Sequence, residues 1–280
     1  MTLRFAYNTN GLQSHRLEDA LALLDEAGYH GVALTLDHMH LDPLRAGPGE
    51  VAGVRKLLRQ RRLSCCVETG ARFLLDPGRK HRPGLADADP LDRMRRTDLL
   101  LRSVELAAEL EAEVLNLPAG PRTPGQDPAD ASRFLAEGLR EILGRAEALG
   151  VPVALEPEPG HWIETLAEYG ALREQLPSLR LTLDTAHVSV VADEGTPAEA
   201  IRAWASDLAL VHLEDAPRGV HAHLPFGEGD LDLPATLAAL AGAGFEGLCA
   251  VELSRHSHAG HELPGRSLAA LRAAAARGRP

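Results

Sequence analysis

Long apolar runs are missing from this sequence. No stretch of eighteen or more apolar residues occurs in its 280 residues, which excludes a membrane-spanning helix. Surplus positive charge is missing too: 29 Lys and Arg face 40 Asp and Glu, giving a formal net charge of −11. Duplex DNA rewards positive surface, so this balance argues against nucleic acid and for a small-molecule ligand. Cysteine is scarce. Cys65, Cys66 and Cys249 all fall in strand-like apolar runs and read as small core residues of a reducing compartment, not as a disulfide framework. Adjacent strand residues face opposite ways, so Cys65 and Cys66 make poor joint ligands. Aromatics are few, with two Trp, three Tyr and five Phe. Trp162 and Phe226 are placed to offer a face to the C–H side of a sugar, although packing is the simpler role for both. The opening Met1-Thr2-Leu3-Arg4-Phe5 has no charged segment followed by an apolar one. A cytoplasmic protein is therefore expected.

What is present is a regular alternation. Eight short apolar runs read as strands: Phe5–Asn10, Gly31–Asp37, Ser64–Thr69, Glu113–Ala119, Pro152–Glu158, Arg180–His187, Leu208–Asp215 and Gly247–Ser254. Amphipathic stretches lie between them, among them Leu17–Ala27, Pro90–Glu111, Asp130–Leu149, Pro234–Gly242 and Arg266–Ala276. Gly28, Gly150 and Gly244 follow such stretches as helix-ending residues. The Ala- and Arg-rich end, from Ala273, is expected to fray. Strands alternating with helices pair in parallel through helical crossovers. Eight such units predict a single-domain (β/α)8 TIM barrel over residues 1–280. The longest irregular stretches, Arg72–Asp89, Pro118–Asp127 and Ala216–Asp232, each follow a strand and so fall on the C-terminal rim.

The last four strand-like runs end in polar residues. Glu156 and Glu158 close the fifth, Asp184 the sixth, His212 and Asp215 the seventh, and Glu252 the eighth. A barrel brings consecutive strand ends round one mouth, and three carboxylates meeting there repel one another unless a cation compensates. Glu156, Asp184, His212 and Glu252 therefore predict one divalent-metal site. Three oxygens and one imidazole suit Mn²⁺, Mg²⁺ or Co²⁺, with Zn²⁺ also compatible. Taken one at a time, such residues read as helix caps or solvated loop groups; four at matched positions do not.

Leu155-Glu156-Pro157, Leu183-Asp184-Thr185-Ala186-His187, Val211-His212-Leu213-Glu214-Asp215, the stretch from His223 through Gly227-Glu-Gly229, and Val251-Glu252-Leu253 together carry a resemblance to the xylose-isomerase-like barrel superfamily. It holds sugar isomerases, ketose 3-epimerases, inositol-pathway enzymes and apurinic-site endonucleases. The specific motifs lie between roughly residues 150 and 255; the first half is similar only in its alternation. In the ketose epimerase branch, the resemblance implies that Glu156, Asp184, His212 and Glu252 bind one metal, Mn²⁺ foremost. It also implies that Glu156 and Glu252 serve as the acid–base pair, and that His187 and Arg218 bind substrate oxygens. A proton then leaves the carbon beside a chelated carbonyl; return from the opposite face inverts that carbon, and return to its neighbour isomerises the sugar.

Other readings stay open. The same centre suits a lyase that removes water from a cyclic polyol ketone. The endonuclease branch needs extra histidines at the ends of strands two to four, which the third and fourth lack; His221 and His223 do resemble its extra ligand pair, and His187 matches one of its zinc ligands. A barrel that binds a metabolite without turning it over is the fourth reading, against which the Glu156/Glu252 pair speaks. Glu158 and His223 are further substrate-binding candidates, and Asp215 either orients the site or caps a turn. Glu68, Arg72, Lys80 and His81 follow strand three and would set cations over the mouth for a phosphate or carboxylate, or form a solvated loop. The expected partner is a sugar, sugar phosphate or polyol, with no membrane and no nucleic acid; homo-oligomers are common among the families resembled.

Overall fold

A computed structural model describes residues 2–70, 72–191 and 194–277. Eight parallel strands close a barrel in sequence order. They are β1 (Arg4–Asn8), β2 (Gly31–Thr35), β3 (Ser64–Glu68), β4 (Leu115–Pro118), β5 (Val153–Glu156), β6 (Arg180–Asp184), β7 (Leu208–Leu213) and β8 (Leu248–Val251). The surrounding helices are α1 (Leu17–Ala27), α2 (Pro48–Arg61), α3 (Pro90–Glu109), α4 (Pro128–Leu149), α5 (Leu166–Gln175), α6 (Thr185–Val190), α7 (Pro197–Ala203), α8 (Leu233–Gly242) and α9 (Leu263–Arg277). Among the described residues, no helix is long and apolar enough to cross a membrane.

Local chemistry explains the boundaries. Asp89 and Asp127 accept backbone N–H bonds at the starts of α3 and α4, each followed by a proline whose missing N–H costs nothing there. Thr165 and Thr196 form reciprocal capping boxes with Glu168 and Glu199. Gly28 and Gly150 end α1 and α4 with φ of 91° and 71°, where a side chain is strained. The expected strand six, read as far as His187, stops at Asp184 instead. Its carboxylate caps the turn that follows, so His187 sits on α6. The end expected to fray is helical from Ala273 to Arg277, and residues 278–280 lie outside the described part.

The strand period of two sorts the barrel interior into layers. Ala6, Ala33, Cys66, Ala154, Leu210 and Ala250 belong to an inner apolar cluster that is distinct from the larger one under the helices. Two residues further along the same strands come Asn8, Thr35, Glu68, Glu156, His212 and Glu252, with Asn116 and Asp184 completing the circle from β4 and β6. The register agrees: Thr35 pairs with Glu68, Glu68 with Asn116, and Asp184 with His212. A floor of mostly small side chains thus carries a polar layer at the C-terminal mouth. Cys65 and Cys66 belong to the outer and inner clusters respectively, as alternation requires, and burial pushes the Cys65 thiol up to about 12.

Gly31 marks a tight point of the weave. A Cβ there would stand 2.8 Å from the Ser64 carbonyl oxygen and 3.0 Å from the Leu248 side chain. Gly31→Ala is expected to cost roughly 1–3 kcal/mol through overpacking, seen as a lowered thermal midpoint; an unchanged midpoint would show that strands two and three separate without penalty.

Candidate metal centre

Four side chains from four neighbouring strand ends meet at one point. Glu156, Asp184, His212 and Glu252 each offer a ligand atom within 4.8 Å of the others. His212 is the centre, 1% exposed. Its Nδ1 lies 2.8 Å from Glu252 Oε2, 3.0 Å from Glu156 Oε1 and 3.9 Å from Asp184 Oδ2. One N–H cannot serve three carboxylates. Burial alone would disfavour the imidazolium, but Glu156, Glu252 and Glu68 hold the His212 pKa well above its ordinary value. Conversely, burial opposes ionisation of Glu252, and the charge and hydrogen bond of His212 outweigh it and hold that carboxyl low.

The outer oxygens of the carboxylates are anchored, which aims the inner ones. Glu252 Oε1 accepts from Asn10 Nδ2 at 2.5 Å. Asn116 Nδ2 donates to Glu156 Oε2 at 2.8 Å and to Glu68 Oε2 at 2.7 Å. Asp184 Oδ1 accepts the backbone N–H of Ala186 and His187, the first turn of α6. Asp184 is therefore a helix cap as well as a site residue, one oxygen for each task. Its Oδ2 is buried and, among the described residues, has no hydrogen-bond partner. That orphaned oxygen, facing two other carboxylates and an imidazole, fits a divalent cation.

Three residues of this assembly have no role in the sequence reading, Asn116, Asn10 and Glu214, and a fourth, Glu68, is expected there with the loop after strand three. It is instead 4% exposed, and its Oε1 lies 3.0 Å from His212 Nε2. An ionised carboxylate only accepts, so Glu68 holds the proton on Nε2 and leaves the Nδ1 lone pair for a metal. The signal for Glu68 was its place two residues beyond Cys66, at the end of β3.

Glu158, His187 and His223 line the same cavity, and Arg218 does not. Arg218 is exposed, its backbone N–H bonded to Asp230 and its guanidinium directed to a separate cleft beside Gly195 and Thr196. His187 donates from Nδ1 to the Pro157 carbonyl at 3.0 Å, which leaves a buried Nε2 without a partner. Its ring centroid is 5.0 Å from that of His221 and 6.4 Å from that of His223. Glu158, His187 and His221 also bring ligand atoms within 4.8 Å of one another. His223 is tied to buried Glu214 at 2.6 Å. Burial pushes the Glu158 carboxyl up to about 7, against the pull of His187. Asp215 caps: its carboxylate accepts from the backbone N–H of Ala216, Gly227 and Leu231. Trp162 and Phe226 pack against the apolar core, and His38 and His40 lie outside the cavity.

A profile of the xylose isomerase-like TIM barrel family matches residues 21–274. No functionally curated protein matches the chain in sequence. Among solved structures, the chain is similar to D-allulose 3-epimerase from Methylomonas sp. (TM-score 0.78, 18% identity, covering 97% of this chain and 98% of that one). It is similar to L-ribulose 3-epimerase (0.77, 21%, all of both chains). It is also similar to the IolI protein solved with a bound zinc atom (0.79, 16%, 99% of each). At these identities the likeness establishes the fold.

Two substitutions test the centre by metal binding alone. Asp184→Ala is expected to abolish tight binding of Mn²⁺ in calorimetry. Glu68→Gln is expected to weaken it by about 10- to 100-fold, as loss of an imidazole's carboxylate partner does, and to move the pH titration of the His212 ¹⁵N shifts in the metal-free protein to lower pH, since the Glu68 charge helps hold that imidazolium. Wild-type affinity and shifts in Glu68→Gln would remove Glu68 from the site.

Proposed function

Since the chain belongs to the xylose isomerase-like TIM barrel family, we propose that it is a divalent-metal-dependent isomerase or epimerase of sugars or polyols, cytoplasmic, with Mn²⁺ as its ion. The observation that carries this reading is the convergence of Glu156 and Glu252, from strands three places apart, on His212 Nδ1, at 3.0 and 2.8 Å. Glu156, Asp184, His212 and Glu252 would hold the metal. When bound there, it supplies a Lewis acid for a carbonyl and its neighbouring hydroxyl, which lowers the cost of removing the proton between them. The protein's residues do the rest. Glu156 and Glu252 take the proton from one face and return it from the other. Asn116 and Asn10 fix the far oxygen of each, so neither carboxylate turns away during the transfer. His187 directs its free Nε2 to a substrate oxygen, and Glu158, held to about 7 and so part protonated and part ionised near neutrality, donates or accepts there.

Three alternatives have weaker support. A phosphodiester hydrolase of the endonuclease type would need histidines where β3 and β4 end in Glu68 and Asn116, which hydrogen-bond each other. A non-catalytic binding barrel has no use for two anchored carboxylates converging on one point. Dehydration of a polyol ketone shares the proton-abstraction step and differs only in what leaves.

The reading is tested in D₂O with Mn²⁺-loaded protein and a panel of hydroxy-ketones. Deuterium is expected at the carbon beside the carbonyl, together with an epimer or isomer. Glu252→Gln is expected to slow exchange by about 10²- to 10⁴-fold while the circular dichroism spectrum is unchanged. Exchange that survives Glu252→Gln would sink the acid–base role, and loss of water without epimer would make the protein a lyase.

A further inference from the structure

The cavity above the metal centre has an unusual lining for a sugar site. Its walls are side-chain amides such as Asn8, Asn10 and Gln13, together with charged groups; no Phe, Tyr or Trp is among its described lining residues. Small-molecule sites are mostly lined by apolar and aromatic groups, and an aromatic face is what a neutral sugar's C–H side rests on. Nearly all the side chains that a ligand meets here are polar. The centre below is already anionic: three carboxylates around a divalent ion leave a net negative charge, and Glu158 stands beside them.

Two cations look down on it. Arg72 and Lys80 come from the single loop between β3 and α3, and both line the cavity. Arg72 Nη2 donates to the Ser254 carbonyl at 2.9 Å, two residues past Glu252, which swings the guanidinium from the β3 side across to the β8 side. Its other donors remain available. Among the described residues neither Arg72 nor Lys80 has a carboxylate within 4.0 Å, in a chain where Arg79, Arg82, Arg122 and Arg133 all do. A neutral polyol needs no such pair. A substrate with a terminal anion would be repelled by the floor and needs compensation at its far end.

We infer that the substrate of this site is a hydroxy-ketone bearing a terminal anionic group, carboxylate or phosphate, held by Arg72 and Lys80 while its carbonyl end lies at Glu156 and Glu252. The inference rests on the proposed function for the reacting end only. Anion capture by the rim is a separate physical claim. A fork of N–H donors grips two oxygens of either group, and an ammonium adds a point charge.

The test is calorimetric titration of the Mn²⁺-loaded protein with three unreactive polyols: D-glucitol, D-gluconate and D-glucitol 6-phosphate. At least one anion is expected to bind about tenfold or more tightly than glucitol, and Arg72→Gln and Lys80→Gln are each expected to weaken that anion by about tenfold, the effect of one charge-assisted bond, without touching glucitol. Gluconate against glucitol phosphate identifies the anion. The substitutions separate capture at the rim from capture at the carboxylate cluster, and two independent variants guard against a folding defect in one. Equal binding of all three polyols, binding of none, or anion binding indifferent to both substitutions overturns the inference. Deuterium exchange keeps the two claims apart. Rim-dependent anion binding without exchange of any hydroxy-ketone defeats the acid–base reading and leaves the anion site standing. Exchange of neutral ketoses with no preference for charged ones does the reverse.

Discussion

Carboxylate crowding around one imidazole nitrogen is the constraint from which this structure follows. With ligand atoms inside 4.8 Å of one another, each pair of ionised carboxylates repels by roughly 3–4 kcal/mol at an effective dielectric of 20. Three such pairs approach the roughly 5–15 kcal/mol that holds a whole domain folded. A chain tolerates that arrangement only where a cation, an imidazolium or a metal ion, stands at the focus. Without metal, His212 does so as an imidazolium. The barrel forces the focus because Asp184 and His212 are register partners and β8 sets Glu252 beside them, its N–H bonded to the Leu213 carbonyl.

Neutral amides make the crowding workable. Asn10 and Asn116 each spend an N–H₂ group on the outer oxygens of the carboxylates, and one Asn116 nitrogen spans Glu156 and Glu68. A charged donor in their place would compete for the focus, whereas an apolar one would leave buried oxygens without partners. Beneath them the small side chains Ala6, Ala33, Cys66, Ala154 and Ala250 keep the polar layer low in the barrel and dry on its underside. The packing of the floor and the chemistry of the mouth are therefore one design, separated by two residues along each strand.

The barrel was legible in the sequence because its signal is repeated eight times, and each strand needs only a few branched or small apolar residues between helix-ending glycines. The convergence of Glu156, Asp184, His212 and Glu252 was legible for a similar reason: polar residues break apolar runs at the same place in four successive strands. The other half of the circle was hidden. Glu68 also ends its strand, but Asn116 lies within its run, and an amide beside a carboxylate has meaning only once the register Glu68–Asn116 is known. Strand lengths were overread at the mouth for a physical reason as well. Asp184 looks like the interior of an extended run, yet its side chain accepts two backbone N–H groups and bends the chain into α6, which carries His187 round to face His221. Arg218 failed by geometry: a fixed offset past His212 says nothing of where a loop turns, and the turn sends it outwards to Asp230.

That loop also shows how a rim of irregular backbone is made stiff enough to matter. Residues 216–232 leave β7 and return to α8 with no helix or strand of their own. One buried carboxylate, Asp215, gathers them by accepting the N–H groups of Ala216, Gly227 and Leu231, while its backbone exchanges hydrogen bonds with Leu224. The close approach leaves no room for a side chain at Gly229, where a Cβ would come within 2.6 Å of the Ala216 backbone. Pinned at those points, the loop presents His221 and His223 inwards to His187 rather than to water. The strands thus fix the carboxylate cluster, and the loops, each tied down by one or two side chains, bring up what surrounds it. Substitutions in Arg72–Asp89 or 216–232 can then change the lining of the mouth without disturbing the carboxylates at the strand ends, which is how one barrel layout comes to serve many substrates.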